Sequence, residues 1–360
     1  MYGSFESIKV SRENRKGNYI AFSNNDGKSW MVPIKNMHIG MEIYEPSGLK
    51  GKLVKRLVPV LYPFGGYRLI PDCYRCNVEL TEPLDSLLDS LCPQYELAVF
   101  WGTPCVDQKV TMQVFRGNQI FGYCKVGNSK RVRALFQHEE KILKELELCK
   151  VKNVPQCKGV FTLNAGEIAF VQTTQKTVGA SVEHQFGTKH QDFLQMMFEK
   201  TKKHILFEQS DFYESLLYLK NNVAKLKSEY QEAVVSATNK VLDKYRNQQV
   251  LWGVCHRDFT PWNTCITGEN LFVFDFEYAL RYAPKEIDVW HFYTQTAVFE
   301  RKMTSEEIAK EFFEKHKACL AEYLLYLLDI ISLYLLRGEP ADIEIANDKA
   351  QILYLLKKSL

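Results

Sequence analysis

Short apolar runs dominate the first half of this chain and helical stripes dominate the second. Tyr19-Ile20-Ala21-Phe22 and Ser29-Trp30-Met31-Val32 flank Asn24-Asn25-Asp26-Gly27. Extended runs closed by Asn-Asp-Gly turn chemistry predict a β-hairpin. Runs at 97–100, 110–114, 120–127 and 168–171 predict further strands, as do Val250–Val254 and Leu271–Phe274. The last two read as a hairpin-like pair, with Thr267-Gly268-Glu269-Asn270 supplying turn chemistry between them. Beyond about residue 200 the period lengthens. Leu216, Leu219, Val223 and Leu226 form a stripe behind Asp211 and Glu214, whose spacing is that of a capping box, so one long helix is expected. Thr304 with Glu307 caps another, and Ile352, Leu353, Leu355 and Leu356 predict a terminal helix with Lys357 and Lys358 at its negative end.

One helix stands apart. Leu49, Leu53 and Leu57 are spaced at four among Lys50, Lys52, Lys55 and Arg56, which predicts a short basic helix over 49–57 ended by Pro59. Such a run is first of all a solvated face over apolar stems; contact with acidic lipid or a phosphorylated acceptor is the lesser reading.

Composition narrows the classes. The chain has 360 residues, 46% hydrophobic and 25% charged, which is ordinary for a globular protein of two or three domains. A net charge of +3 is too mild to argue for nucleic acid. Tyr323–Leu336 is apolar but contains Asp329 and is shorter than the ~20 residues of a spanning helix, so a buried core helix is expected and no transmembrane segment. The N-terminus shows no long apolar secretion core, and the ten cysteines read as reduced thiols of a cytoplasmic enzyme. Cys73 and Cys76 form a C-x-x-C with no second ligand pair behind it, which argues against a zinc site.

The chemistry is concentrated in His256-Arg257-Asp258-Phe259-Thr260-Pro261-Trp262-Asn263 and, twelve residues on, Asp275-Phe276-Glu277. Phosphoryl transfer from ATP needs a carboxylate to orient the attacking hydroxyl, and an Asn with a second carboxylate to hold Mg²⁺ on the phosphates. Asp258, Asn263 and Asp275 supply these in order, at the spacing of H-R-D-L-x-x-x-N followed by D-F-G, with Phe259 in place of Leu and Glu277 in place of Gly. His256 is expected to pack beneath the loop. Such chemistry also needs a strand Lys for the phosphates and a helix Glu to hold it. Lys125 lies inside a predicted strand; Glu139 shares a helix face with Leu143 and Leu146, where an unpaired carboxylate would be costly. Glu140, one step round, is the fallback. No glycine-rich loop precedes Lys125; only Gly102 offers close backbone approach to a phosphate.

The order Lys125, Glu139, H-R-D-F-T-P-W-N, D-F-E-Y and Asp288-Val289-Trp290 resembles the protein-kinase-like fold, and within it the aminoglycoside phosphotransferase and choline kinase superfamily. The resemblance covers roughly 95–300 and is specific over 252–292. It implies an α+β two-lobe fold: an N-terminal extension (1–90, hairpin plus basic helix), a small antiparallel-sheet nucleotide lobe (91–172) and a mainly helical lobe (173–360) with catalytic loop and acceptor pocket. It also implies Asp258 as catalytic base, Asn263 and Asp275 as metal ligands, Lys125 with Glu139 on the phosphates, and Asp288 bracing the loop backbone. Gln172 and Thr174 would lie at the hinge, where backbone amides meet adenine.

The acceptor should be small. Ala283-Pro284-Lys285-Glu286 follows Glu277 so closely that no activation segment of a protein kinase fits between them. The expected activity is ATP- and Mg²⁺-dependent phosphorylation of a small hydroxyl compound, sugar-like by preference. The alternatives are a choline- or ethanolamine-type kinase, with Trp290, Tyr293 and Asp288 as a cationic cage, and a non-catalytic binding or scaffold protein, against which the retained Asp258, Asn263, Asp275 and Lys125 argue.

Overall fold

The computed structural model describes residues 5–13, 16–46, 48–70, 72–105 and 107–358. Its α+β chain divides into two compact units: residues 1–144, 153–181 and 266–272, and residues 145–152, 182–265 and 273–360.

The first unit is built on one antiparallel sheet. Its strands are β1 (Ile8–Arg12), β2 (Tyr19–Ser23), β3 (Ser29–Pro33), β4 (Tyr74–Leu80), β5 (Glu96–Trp101), β6 (Val110–Arg116), β7 (Gln119–Gly127), β8 (Cys157–Thr162) and β9 (Ile168–Thr173), in the spatial order β1-β4-β2-β3-β5-β6-β7-β9-β8. The expected hairpin is β2–β3, with Tyr19 opposite Pro33 and Ser23 opposite Ser29. Strand β3 then pairs with β5, so the first eighty residues continue the sheet that holds Lys125.

Alternation sorts the faces. Ala21, Met31, Cys124 and Val126 share one apolar cluster with Leu84 and Leu88. Ile20, Phe22, Trp30 and Val32 point the other way, into a cluster with Met37, Met41 and Val58. The unit's helices are a short α1 (Met37–Gly40), α2 (Leu49–Leu61), α3 (Leu84–Leu91) and α4 (Lys130–Leu148), the last of which runs past the unit's end. Helix α2 corrects one expectation: Pro59 does not end it, and Tyr62 N–H still donates to Val58 O. A proline there forfeits a single intrahelical donor.

The second unit is mainly helical: α5 (Thr188–Thr201), α6 (Asp211–Asn222), α7 (Ser228–Tyr245), α8 (Glu286–Phe299), α9 (Ser305–His316), α10 (Leu320–Arg337) and α11 (Pro340–Lys358). Its three-stranded sheet has the order of β10 (Lys203–Leu206), β11 (Gln249–Cys255) and β14 (Leu280–Ala283). The pairing of Val250–Val254 with Leu271–Phe274 is therefore wrong. Asn270–Val273 (β13) pairs instead with Thr264–Thr267 (β12), immediately after the motif, across the predicted Thr267–Asn270 turn. Thr264 and Ile266 carry the β-branched signal that identifies the true partner.

The helix after residue 210 also differs in detail. Ser210 is its N-cap, accepting from Tyr213 N–H, while the Asp211 carboxylate takes the Arg281 N–H. The helix stops at Asn222, and Leu226 reaches the core from beyond it. Thr304 and Glu307 form the expected reciprocal cap of α9. Helix α10 is apolar nearly all round and mostly buried, as its sequence implied. Its Asp329 is fully buried and clasps the Arg257 guanidinium at 2.9 Å from both Nε and Nη2.

Two stability predictions follow from these buried charges. Asp329→Ala leaves Arg257 buried without its carboxylate and should cost about 3–5 kcal/mol in urea unfolding. Lys349 of α11 is 2% exposed, and burial pushes its ammonium down to about 8 from 10.5, opposed by Asp348. Its folded value lies below its unfolded one, so the unfolded chain binds more protons between about pH 8 and 10.5 and stability rises with pH across that window. Lys349→Met should remove this slope and stabilise the protein at pH 7 by about 1–3 kcal/mol, measured by denaturant titration at both ends of the window.

Candidate active site

In the first unit, β7 alternation turns Cys124 and Val126 into the core and Lys125 to the opposite face. Lys125 Nζ lies 3.0 Å from Glu139 Oε2 of α4 and 5.7 Å from the centre of the Phe170 ring. Lys125 is 9% exposed and Glu139 fully buried. Desolvating both charges cancels much of their attraction, so the pair is poor value as a stability device and stands out as a site feature.

The hinge and loop residues behave differently from one another. Thr173 N–H donates to Gln156 O and Thr174 N–H to Phe121 O, so both amides are already used within the unit. Gln172 is buried, and its Oε1 has no hydrogen-bond partner among the described residues. Gly102 closes the β5–β6 hairpin, its N–H on Lys109 O at 3.1 Å; a Cβ there would sit 2.9 Å from that same oxygen.

In the second unit β11 delivers the motif, and the loop is held by its backbone. Asp288 Oδ2 accepts from His256 N–H at 2.8 Å and Oδ1 from Arg257 N–H at 2.7 Å. Burial raises the Asp288 carboxyl above its ordinary range, against the lowering pull of His256 and these two amides. Arg257 adopts φ +66, a left-handed conformation costly for a side-chain-bearing residue, and its guanidinium is tied to Asp329 and to Ser215 Oγ. His256 is buried; its Nδ1 accepts from Asp258 N–H at 3.2 Å, which leaves Nε2–H to donate to Phe274 O at 2.9 Å. Phe274 N–H in turn donates to Asn263 O at 3.1 Å. The backbone just before Asp275 is thus stitched to both ends of the motif.

Asp258 is oriented from two sides. Asn263 Nδ2 donates to its Oδ2 and to its carbonyl, each at 2.9 Å. His291 Nε2 of α8 lies 3.1 Å from its Oδ1 and must be the donor, since a carboxylate only accepts. The His291 side chain is 1% exposed, whereas that of Asp258 remains 32% exposed. A carboxylate gripped behind and open in front can receive a hydroxyl proton.

Asp275, at φ +71, and Glu277 bring carboxylate oxygens within 4.8 Å of each other. Both Asn263 amide hydrogens are spent on Asp258, which leaves its oxygen for another partner. Two neighbouring carboxylates offer hard-oxygen ligands of the kind Mg²⁺ takes, so Asp275 and Glu277 fit that ion.

Sequence reasoning missed two residues here. Glu277 registered only as a departure from Gly, although a carboxylate two positions after Asp275 was itself a ligand signal. His291 had no signal, because its partner is thirty-three positions away. The proposed cationic cage does not form: Trp290 is buried against Phe312 and Tyr323, Tyr293 Oη donates to Glu311, and Asp288 is spent on the loop. Cys76 is buried, and burial pushes its thiol up to about 12 and that of Cys73 to about 11.

Residues 206–321 match the model of the phosphotransferase enzyme family (APH). No curated protein matches. Among solved structures, a thermostable mutant of aminoglycoside phosphotransferase APH(4)-Ia in ternary complex with AMP-PNP and hygromycin B aligns at 10% identity and TM-score 0.51, covering 77% of this chain and 99% of that one. A second mutant of the same enzyme, with ADP and hygromycin B, aligns at 11% identity and TM-score 0.51 over 76% and 98%. Choline kinase from Cryptosporidium parvum Iowa II aligns at 12% identity and TM-score 0.48 over 78% and 96%. Over residues 206–321 this chain is thus similar to the phosphotransferase enzyme family, and it shares its fold with the aminoglycoside phosphotransferase structures.

Proposed function

We propose that the protein transfers the γ-phosphate of ATP to a hydroxyl of a small, sugar-like molecule in a Mg²⁺-dependent reaction. The observation that carries this reading is Asp258, fixed by Asn263 and His291 and still open on one edge. Asp258 orients the acceptor hydroxyl and takes its proton as the new bond forms. Asn263 and Asp275, joined by Glu277, are the residues to hold Mg²⁺, which when bound offsets the charge of the phosphates. Lys125, held by Glu139, grips the phosphates; Gln172 and Thr174 lie on the purine side, and Gly102 is the remaining candidate for close backbone approach. His256 and Asp288 support the loop. On this assignment 91–172 is the nucleotide lobe, 173–360 carries the base and the acceptor pocket, and 1–90 extends the first; reduced thiols and ATP use suit the cytoplasm.

A sugar-like acceptor suits the surroundings of Asp258. Trp262, four positions along the same loop, is 39% exposed and meets Phe299 edge-on at 5.6 Å. Exposed aromatic faces bind the apolar face of a sugar ring while its hydroxyls stay free for hydrogen bonds. The hygromycin B complexes of fold relatives agree with that class. A choline-type substrate loses support, because its expected cage is core.

ADP release, measured with Mg²⁺ and a panel of hydroxyl compounds, tests the reading. Asp258→Ala should lower turnover by roughly 10²–10⁴-fold, and Asp275→Ala should raise the Mg²⁺ needed for half-maximal rate. Equal release by wild type and Asp258→Ala would sink the assignment. His291→Phe should lower kcat by roughly 10–10²-fold through loss of carboxylate orientation, with KM for ATP unchanged. His291→Gln, which retains an N–H donor, should recover part of that loss in the same steady-state assay.

A further inference from the structure

Helix α2 has two apolar faces, and the fold uses one. Val58 is buried and Val54 packs beside it against the cluster of Ile20, Phe22, Trp30 and Met41. On the other side Leu49, Leu53, Leu57 and Val60 are 86, 59, 40 and 68% exposed, and Phe64, just past the helix, is 86% exposed. At 3.6 residues per turn the four helical positions fall within an arc of about 80°. Lys52 and Arg56 border that arc on one side and Lys50 on the other, all three exposed. Residues 49–64 contain no acidic side chain. The fourth cation, Lys55, turns away from the stripe and pairs at 3.0 Å with Glu42, in the single turn that follows α1, which holds the helix with its second face outward.

Isolated exposed apolar side chains are ordinary; a continuous stripe edged by cations on both sides is not. The stripe is convex and lies on a helix flank, so it offers no pocket walls to a partner's side chains. Lys and Arg at its borders are placed to reach up to phosphate oxygens while their stems extend the apolar surface. This is the charge pattern of a helix lying in the plane of an anionic interface. We propose that α2 is a peripheral docking surface for membranes that carry anionic lipid, seating Leu49, Leu53, Leu57, Val60 and Phe64 among the acyl chains and Lys50, Lys52 and Arg56 at the headgroups. One helix of this size gives reversible attachment. The inference is independent of the phosphotransfer chemistry.

The test is cosedimentation of the full chain with vesicles of phosphatidylcholine alone or mixed with phosphatidylglycerol. Roughly tenfold more protein should pellet with the anionic vesicles, and the excess should fall as salt is raised. Leu53→Glu with Val60→Glu should abolish pelleting. Separately, Lys50→Glu, Lys52→Glu and Arg56→Glu together should abolish the preference for anionic lipid; unchanged circular dichroism and melting would show that both variants are folded. Equal pelleting with the two vesicle types, or wild-type binding by either folded variant, overturns the proposal. So does concentration-dependent dimerisation that Leu53→Glu abolishes without any vesicle binding, which would make a second copy the occupant.

Discussion

The candidate site in the second unit depends on how three successive residues, His256, Arg257 and Asp258, are anchored from helices far along the chain. Asp288 of α8 holds two of their amides, Asp329 of α10 clasps the Arg257 guanidinium, and Ser215 of α6 adds a third hold. A left-handed Arg257 would relax if left alone. It persists because its side chain is a buried cation whose partners are fixed on packed helices, and displacing it would strand both charges. The costs run in one direction: helices bury the charges, the charges fix the backbone, and the backbone aims Asp258 outward.

The same logic extends to Asp275. His256 and Asn263 hold the carbonyl and amide of Phe274, so the strand β13 enters the site in one register. Asp275 then turns through a second left-handed conformation, which brings its carboxylate beside that of Glu277. Carboxylate oxygens this close together are an arrangement that a divalent cation can bridge. A Gly at position 277 would leave one carboxylate fewer. Its replacement also removes the residue best able to swing the backbone, and the short interval before Ala283 leaves no room for a long regulatory loop.

Much of this was legible in the sequence because it depends on local spacing. The interval between Asp258 and Asn263, the run into Asp275 and the alternation that turns Lys125 away from Cys124 and Val126 need no knowledge of distant contacts. What the sequence hid was partnership across distance. The β-strand at Leu271 was legible, but its mate at Thr264–Thr267 was masked by the motif beside it. Ser210 lost the capping role to Asp211 on paper because both residue types cap helices; Arg281, seventy positions away, decides the matter by engaging the Asp211 carboxylate. His291, Asp329 and Ser215 carry no motif at all.

The extension shows a further limit of reading by segments. Residues before 90 look separate because the apolar runs stop at a basic helix and resume after it, yet four of the nine strands come from there, joined through β3 to β5. The sheet that carries Lys125 is therefore not bounded by β5. Its additional strands leave Ile20, Phe22, Trp30 and Val32 on a face that needs cover, and α2 supplies it with Val58. Once Val54 and Val58 serve that purpose, Leu49, Leu53, Leu57 and Val60 have no core left to enter. Polar residues at these positions would be accepted at no cost to packing, so the apolar side chains there serve nothing inside the fold.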